Sequence, residues 1–200
     1  MNQIRKTSEE FLPRLARLAC EPCIEAWQAA WLQRWPTSGR FNEYSPDSPE
    51  VGAAADAQTW ILLLSSEPDS EAALGMDERI QASGLRSLLI VPRSDGLWVQ
   101  ARRHAELAPC LSCLSAQPEL LPWNRRAPGL TDSPALLMSR IEALLHSADL
   151  QSLNDWCCGR WDGERIVETA QLLKDPICAV CSPIKERPNQ VYFHEESSHV

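Results

Sequence analysis

"LRSLLIVPRSDGLWVQ", residues 85–100, decides how the chain is read. Two apolar runs stand on either side of Asp95-Gly96, and Asp-Gly is a favoured dipeptide for the tight turn of a β-hairpin. Upstream, "TWILLLSS" at 59–66 is apolar without alternation, the pattern of a short strand covered on both faces. Between them, "EPDSEAALGMDERIQASG" at 67–84 reads as a loop and a helix. Gly84 is suited to end that helix in the left-handed conformation. Strand, helix and strand pair in this order predict an α/β domain.

Further along, "SPALLMSRIEALLHSA" at 133–148 has the period of an amphipathic helix, with Ser133 at the N-cap and Pro134 in the first helical position. "RWDGERIVETAQLLKDPICAVC" at 160–181 predicts strands around a second turn at Asp162-Gly163. Toward the N-terminus, residues 8–35 show a helical period. Phe11, Leu15 and Leu18 fall on one face, and Trp27, Trp31 and Trp35 recur at i, i+4. Pro22 interrupts or kinks that run. The expected organisation is a helical segment and linker at 1–57, an α/β domain at 58–183 and a polar tail at 184–200.

The chain has 200 residues, 44% hydrophobic and 23% charged, which is ordinary globular composition. Its formal net charge is −8. That balance argues against nucleic acid and anionic membrane as partners, since both need a basic face. "ARRHA" and "NRRAP" are the places where arginine concentrates. No stretch reaches the ~18 apolar residues of a membrane span, and the first residues lack the pattern of a signal peptide. The expected location is cytoplasmic, where cysteines are more often metal ligands or buried thiols than disulfides.

Eight cysteines are present. "PCLSCL" and "DPICAVC" place Cys110 with Cys113 and Cys178 with Cys181, two pairs of identical spacing. A two-residue spacer lets both sulfurs of a pair face one ion, and two such pairs complete a tetrahedral zinc site. Four thiolates leave no position for water, so the ion would be structural. Two unrelated buried or redox pairs are the competing reading. Cys20, Cys23, Cys157 and Cys158 are candidates for a second site or plain buried thiols, although adjacent side chains such as Cys157 and Cys158 diverge.

The eight glycines form neither G-x-G-x-x-G nor a P-loop, and there is no G-x-S-x-G. The tryptophan stripe has two readings: a core face, or an aromatic anchor for a partner with Arg14 and Arg17 nearby for an acidic peptide or protein.

From about residue 58 the order "WILLLSS", "DERIQASG", "LLIVPRSDGLWVQ", "PCLSCL", Trp123, "ALLMSRIEALL", "PICAVC" resembles a known family. It is similar to the C-terminal half of the ThiF-like cyclodehydratase component of thiazole- and oxazole-modified peptide biosynthesis. Those proteins present a precursor peptide to a YcaO-type enzyme. The resemblance covers about two-thirds of the chain. It implies a truncated ThiF-like α/β domain with Cys110, Cys113, Cys178 and Cys181 as structural zinc ligands. It also implies a non-catalytic protein that binds the precursor peptide, its modifying enzyme, or both. A ThiF-like activating enzyme with a degenerate nucleotide site, or a stand-alone zinc-stabilised adaptor, are the alternatives. The family carries a winged-helix segment and a glycine-marked first half before the shared region; here only 57 residues precede it.

Overall fold

The computed structural model describes residues 15–19, 30, 33, 60–84, 86–118, 121, 123 and 133–182. Its centre is a mixed six-stranded sheet in sequence order. The strands are β1 (Leu15–Ala19), β2 (Trp60–Leu64), β3 (Arg86–Arg93), β4 (Gly96–Arg102), β5 (Cys157–Trp161) and β6 (Ile166–Gln171). The pairs β1–β2 and β2–β3 are parallel; β3–β4, β4–β5 and β5–β6 are antiparallel. Among the described residues they are accompanied by the helices α1 (Glu71–Ser83), α2 (Leu111–Ser115), α3 (Pro134–Leu145) and α4 (Asp149–Ser152).

The continuous apolar runs belong to strands covered on both faces. Trp60, Leu62, Leu64, Leu88, Ile90, Leu97, Val99 and Ala101 pack with Leu137, Met138, Ile141, Leu144 and Leu145 of α3. The alternate residues Ile61, Leu63, Leu89, Val91 and Trp98 face Ala73 and Ile80 of α1, Leu111 and Leu114 of α2, and Trp123. The period of two in each strand therefore divides one apolar sequence between two cores, giving a helix–sheet–helix sandwich.

Local signals explain the borders. The Ser70 hydroxyl accepts the Ala73 N–H at the start of α1, and Ser133 accepts the Leu136 N–H at the start of α3. Gly84 ends α1 with φ 65°, the left-handed cap for which glycine is suited. The first hairpin sits one residue earlier than the dipeptide suggests. Arg93 pairs with Gly96, so Ser94 and Asp95 are the turn, and Gly96 opens β4. Glycine is needed at that position because a Cβ there would lie 2.5 Å from the Trp161 carbonyl oxygen. Arg160 on β5 holds this turn to β6, donating to the Asp95 carbonyl at 3.1 Å and to Glu168 at 3.1 Å.

The helical reading of residues 8–35 is corrected in part. Leu15–Ala19 is a strand, in parallel register with Trp60–Leu63. A five-residue piece with Leu15 and Leu18 satisfies a helical period by itself, but the sheet beside β2 supplies hydrogen-bond partners that local propensity does not foresee. Ala30 and Gln33 are helical, and Ala30 packs against the α3-side core. Arg17 stands in β1 opposite Ile61. Trp27, Trp31, Trp35 and Arg14 lie outside the described residues, so the contact-surface reading stays an expectation. No described helix is long and apolar enough to cross a membrane.

Candidate metal centre

β4 leaves the sheet at Arg102, and residues 103–110 carry the chain to α2. Cys110 is the N-cap of α2 and Cys113 lies in its first turn. Pro109 biases the residue before it away from helix, yet α2 begins directly after Cys110. Both cysteines are buried, Cys110 at 0% and Cys113 at 1% exposure, because Leu111 and Leu114 anchor α2 in the α1-side core.

A buried polar chain braces this end. Arg102 and Asp77 of α1 form an ion pair in which both side chains are 1% exposed. The second Asp77 oxygen accepts the Leu111 N–H at 2.6 Å, at the start of α2. Arg102 Nε donates to Gln100 Oε1 at 3.0 Å, and Gln100 Nε2 reaches the carbonyls of Pro109 and Asp155, each at 3.4 Å. Charges buried this deeply persist only when paired and hydrogen-bonded. Nothing local marks this chain of bonds: Asp77 and Arg102 stand 25 residues apart, and only the fold brings them together.

The arginines of "ARRHA" therefore do not make a basic face. Arg102 is spent on Asp77, and Arg103 donates to the carbonyls of Leu150, Gln151 and Leu153 at the end of α4. Asp155 accepts the His104 N–H at 3.1 Å and contacts His104 Nδ1 at 3.0 Å, closing the loop back on itself.

The second pair stands on a turn after β6. Asp175 Oδ1 accepts the Ile177 N–H at 2.9 Å, and its carbonyl accepts the Cys178 N–H at 3.2 Å. Ser182 N donates to the Cys178 carbonyl at 3.0 Å. Lys174 Nζ donates to the Glu106 carbonyl and fastens this segment to the 103–110 loop.

The two halves meet. Cys110 Sγ is 3.7 Å from Cys113 Sγ and 3.5 Å from Cys178 Sγ, and Cys113 Sγ is 3.3 Å from Cys181 Sγ. All four sulfurs lie within 4.8 Å of one another, and all four are free thiols. A tetrahedral ion with metal–sulfur bonds of about 2.3 Å would space its sulfurs by about 3.8 Å, so the donor set fits such an ion. The Asp175 N–H donates to Cys113 Sγ at 3.4 Å, a bond that favours the thiolate. The hydrogen bond with Cys113, then burial, pushes the Cys110 thiol well above its ordinary value, and burial raises Cys181 as well. Ligation requires thiolates, so an ion entering here must expel protons.

Among the described residues no other group of histidine, cysteine and carboxylate side chains gathers this way. Cys157 and Cys158 diverge as neighbours on a strand do: Cys158 is in the α1-side core and Cys157 packs against the other. Cys20 and Cys23 lie outside the described residues. Burial pushes the Cys158 thiol up to about 12, as for an inert core residue.

No known protein family and no curated protein matches the chain. Among solved structures, it is similar to a heterocyclase in complex with substrate and cofactor, at 13% identity and a TM-score of 0.50, over 88% of this chain and 26% of that one. A structure of the heterocyclase TruD matches at 11% identity and a TM-score of 0.48, over 88% of this chain and 28% of TruD. The chain thus spans about a quarter of the length of these proteins, and at such identities what it shares with the first is a fold.

Proposed function

We propose that this chain is a non-catalytic, zinc-stabilised partner protein in a system that modifies ribosomally made peptides. Its domain is read as a truncated ThiF-like unit that binds the precursor peptide, the modifying enzyme, or both. The observation that carries the reading is the likeness in fold to one part of a heterocyclase, together with the four cysteines gathered on that fold. Zinc is favoured because a closed set of four thiolates suits its tetrahedral preference. With no ligand position left for water, the ion would supply folding energy and no hydrolytic chemistry. The residues of the chain then do the holding: Cys110 and Cys113 from the buried end of α2, Cys178 and Cys181 from the turn after β6.

The test uses defined components. The purified chain is mixed with a YcaO-type enzyme and a cysteine-rich precursor peptide. Co-elution, and loss of peptide dehydration when the chain is omitted, are expected. A chain that binds neither component and leaves dehydration unchanged rejects the proposal. Pyrophosphate exchange abolished by a point change in this chain would favour an activating enzyme instead.

A further inference from the structure

The sulfur distances carry a consequence beyond metal binding. Close contacts run between the pairs, 3.3 Å for Cys113–Cys181 and 3.5 Å for Cys110–Cys178, while Cys110–Cys113 within a pair is 3.7 Å. Access is unequal too. Cys110, Cys113 and Cys178 are buried, whereas Cys181 is partly exposed. An oxidant arriving from solvent therefore meets Cys181 first, and the Cys113 sulfur waits 3.3 Å from it.

We propose that the four-cysteine cluster is a redox-sensitive clasp, in which hydrogen peroxide expels the ion and closes disulfides across the two pairs, Cys113–Cys181 and Cys110–Cys178. It rests on the zinc reading only for the released ion. The chemistry balances in two steps. The Cys181 thiolate attacks one peroxide oxygen, the O–O bond breaks, and the departing hydroxide takes a proton from solvent, leaving a sulfenic acid and one water. The Cys113 thiolate then attacks the sulfenic sulfur, an S–S bond forms, the S–O bond breaks, and the departing hydroxide takes a proton from solvent as a second water. Two thiolates lose two electrons in all, one peroxide gains them, and two protons from solvent complete the two waters. A second peroxide closes Cys110–Cys178 in the same way. Disulfide sulfur is a poor ligand, so the ion leaves as its hydrated form.

The pairing matters for the fold. Bridges across the pairs join α2 to the turn at 175–182, the same connection the metal makes, so the oxidised chain keeps that turn docked. Bridges within each pair would cut it loose. Cys110 caps a helix and Cys113 follows in its first turn, an arrangement in which a within-pair disulfide is the natural rival.

Peptide mapping separates the two. Trypsin leaves Cys110 and Cys113 together in residues 104–125 and Cys178 with Cys181 in residues 175–185. The purified chain is treated with peroxide, alkylated without reductant and digested, while a chromophoric chelator follows zinc release. The expected result is the two peptides linked, fragmentation assigning Cys113–Cys181 and Cys110–Cys178, and complete loss of bound zinc. Separate peptides with internal bridges, sulfinic acids without bridges, or the opposite cross-pairing would each overturn the proposal. A chain purified without zinc that still yields these cross-links would sink the zinc reading and leave this one standing.

Discussion

The two halves of the cysteine cluster are held by different means. Cys110 and Cys113 belong to the sandwich: α2 is anchored by Leu111 and Leu114 in the core, and the Asp77–Arg102–Gln100 chain fixes its start. Cys178 and Cys181 belong to a turn fastened by its own short-range bonds, by Lys174 to a carbonyl and by the sulfurs themselves. Ile177 beside them is 52% exposed, so this turn buries little apolar surface of its own. The first half is a consequence of folding; the second half depends on what joins it to the first.

On the zinc reading proposed above, the sharpest way to break this comparison is to remove the ion. Structural zinc contributes on the order of 10 kcal/mol in small domains, coupled directly to folding. Chelation is expected to abolish amide-exchange protection at 175–182 while the strands β2–β4 keep theirs, because the sheet has its own core. Equal loss in both regions would show that the halves are not independent.

A second cut goes to the rigid half. Asp77→Ala leaves the Arg102 guanidinium buried without its carboxylate and the Leu111 N–H without its acceptor. A destabilisation of about 3–5 kcal/mol is expected in a denaturant melt. A change below 1 kcal/mol would mean that the buried chain does not brace α2.

The smallest effect is read in alkali. Cys158 is buried and its thiol is pushed up to about 12 from an ordinary 9.0. Between those values the unfolded thiol ionises and the folded one does not, so stability is full below about pH 9 and declines above it. The slope from this group is about 1.4 kcal/mol per pH unit. Cys158→Ala should flatten the alkaline limb of the stability curve by that amount relative to the parent; an unchanged limb would contradict it.

What could be seen beforehand follows from the range of each signal. The helix caps at Ser133 and Gly84, the two hairpins and the doubly buried β2 rest on neighbouring residues, and the structure has them within a residue or so. The two cysteine pairs were legible because their spacing repeats, and the structure brings all four sulfurs within 4.8 Å of one another. β1 was not, because its five residues are a strand only beside β2. The Asp77–Arg102 pair was not either: 25 residues separate the partners, and nothing in a charged residue announces that it will be buried. Local chemistry could be read from the chain, while contacts made across the sheet could not.

The central claim is that the two cysteine pairs form one zinc site joining the turn after β6 to the sandwich. Metal analysis of the purified chain beside Cys110→Ser/Cys178→Ser tests it most directly. One zinc per chain, lost in the double variant, is the expected result. A zinc content that the double substitution leaves unchanged would contradict the account.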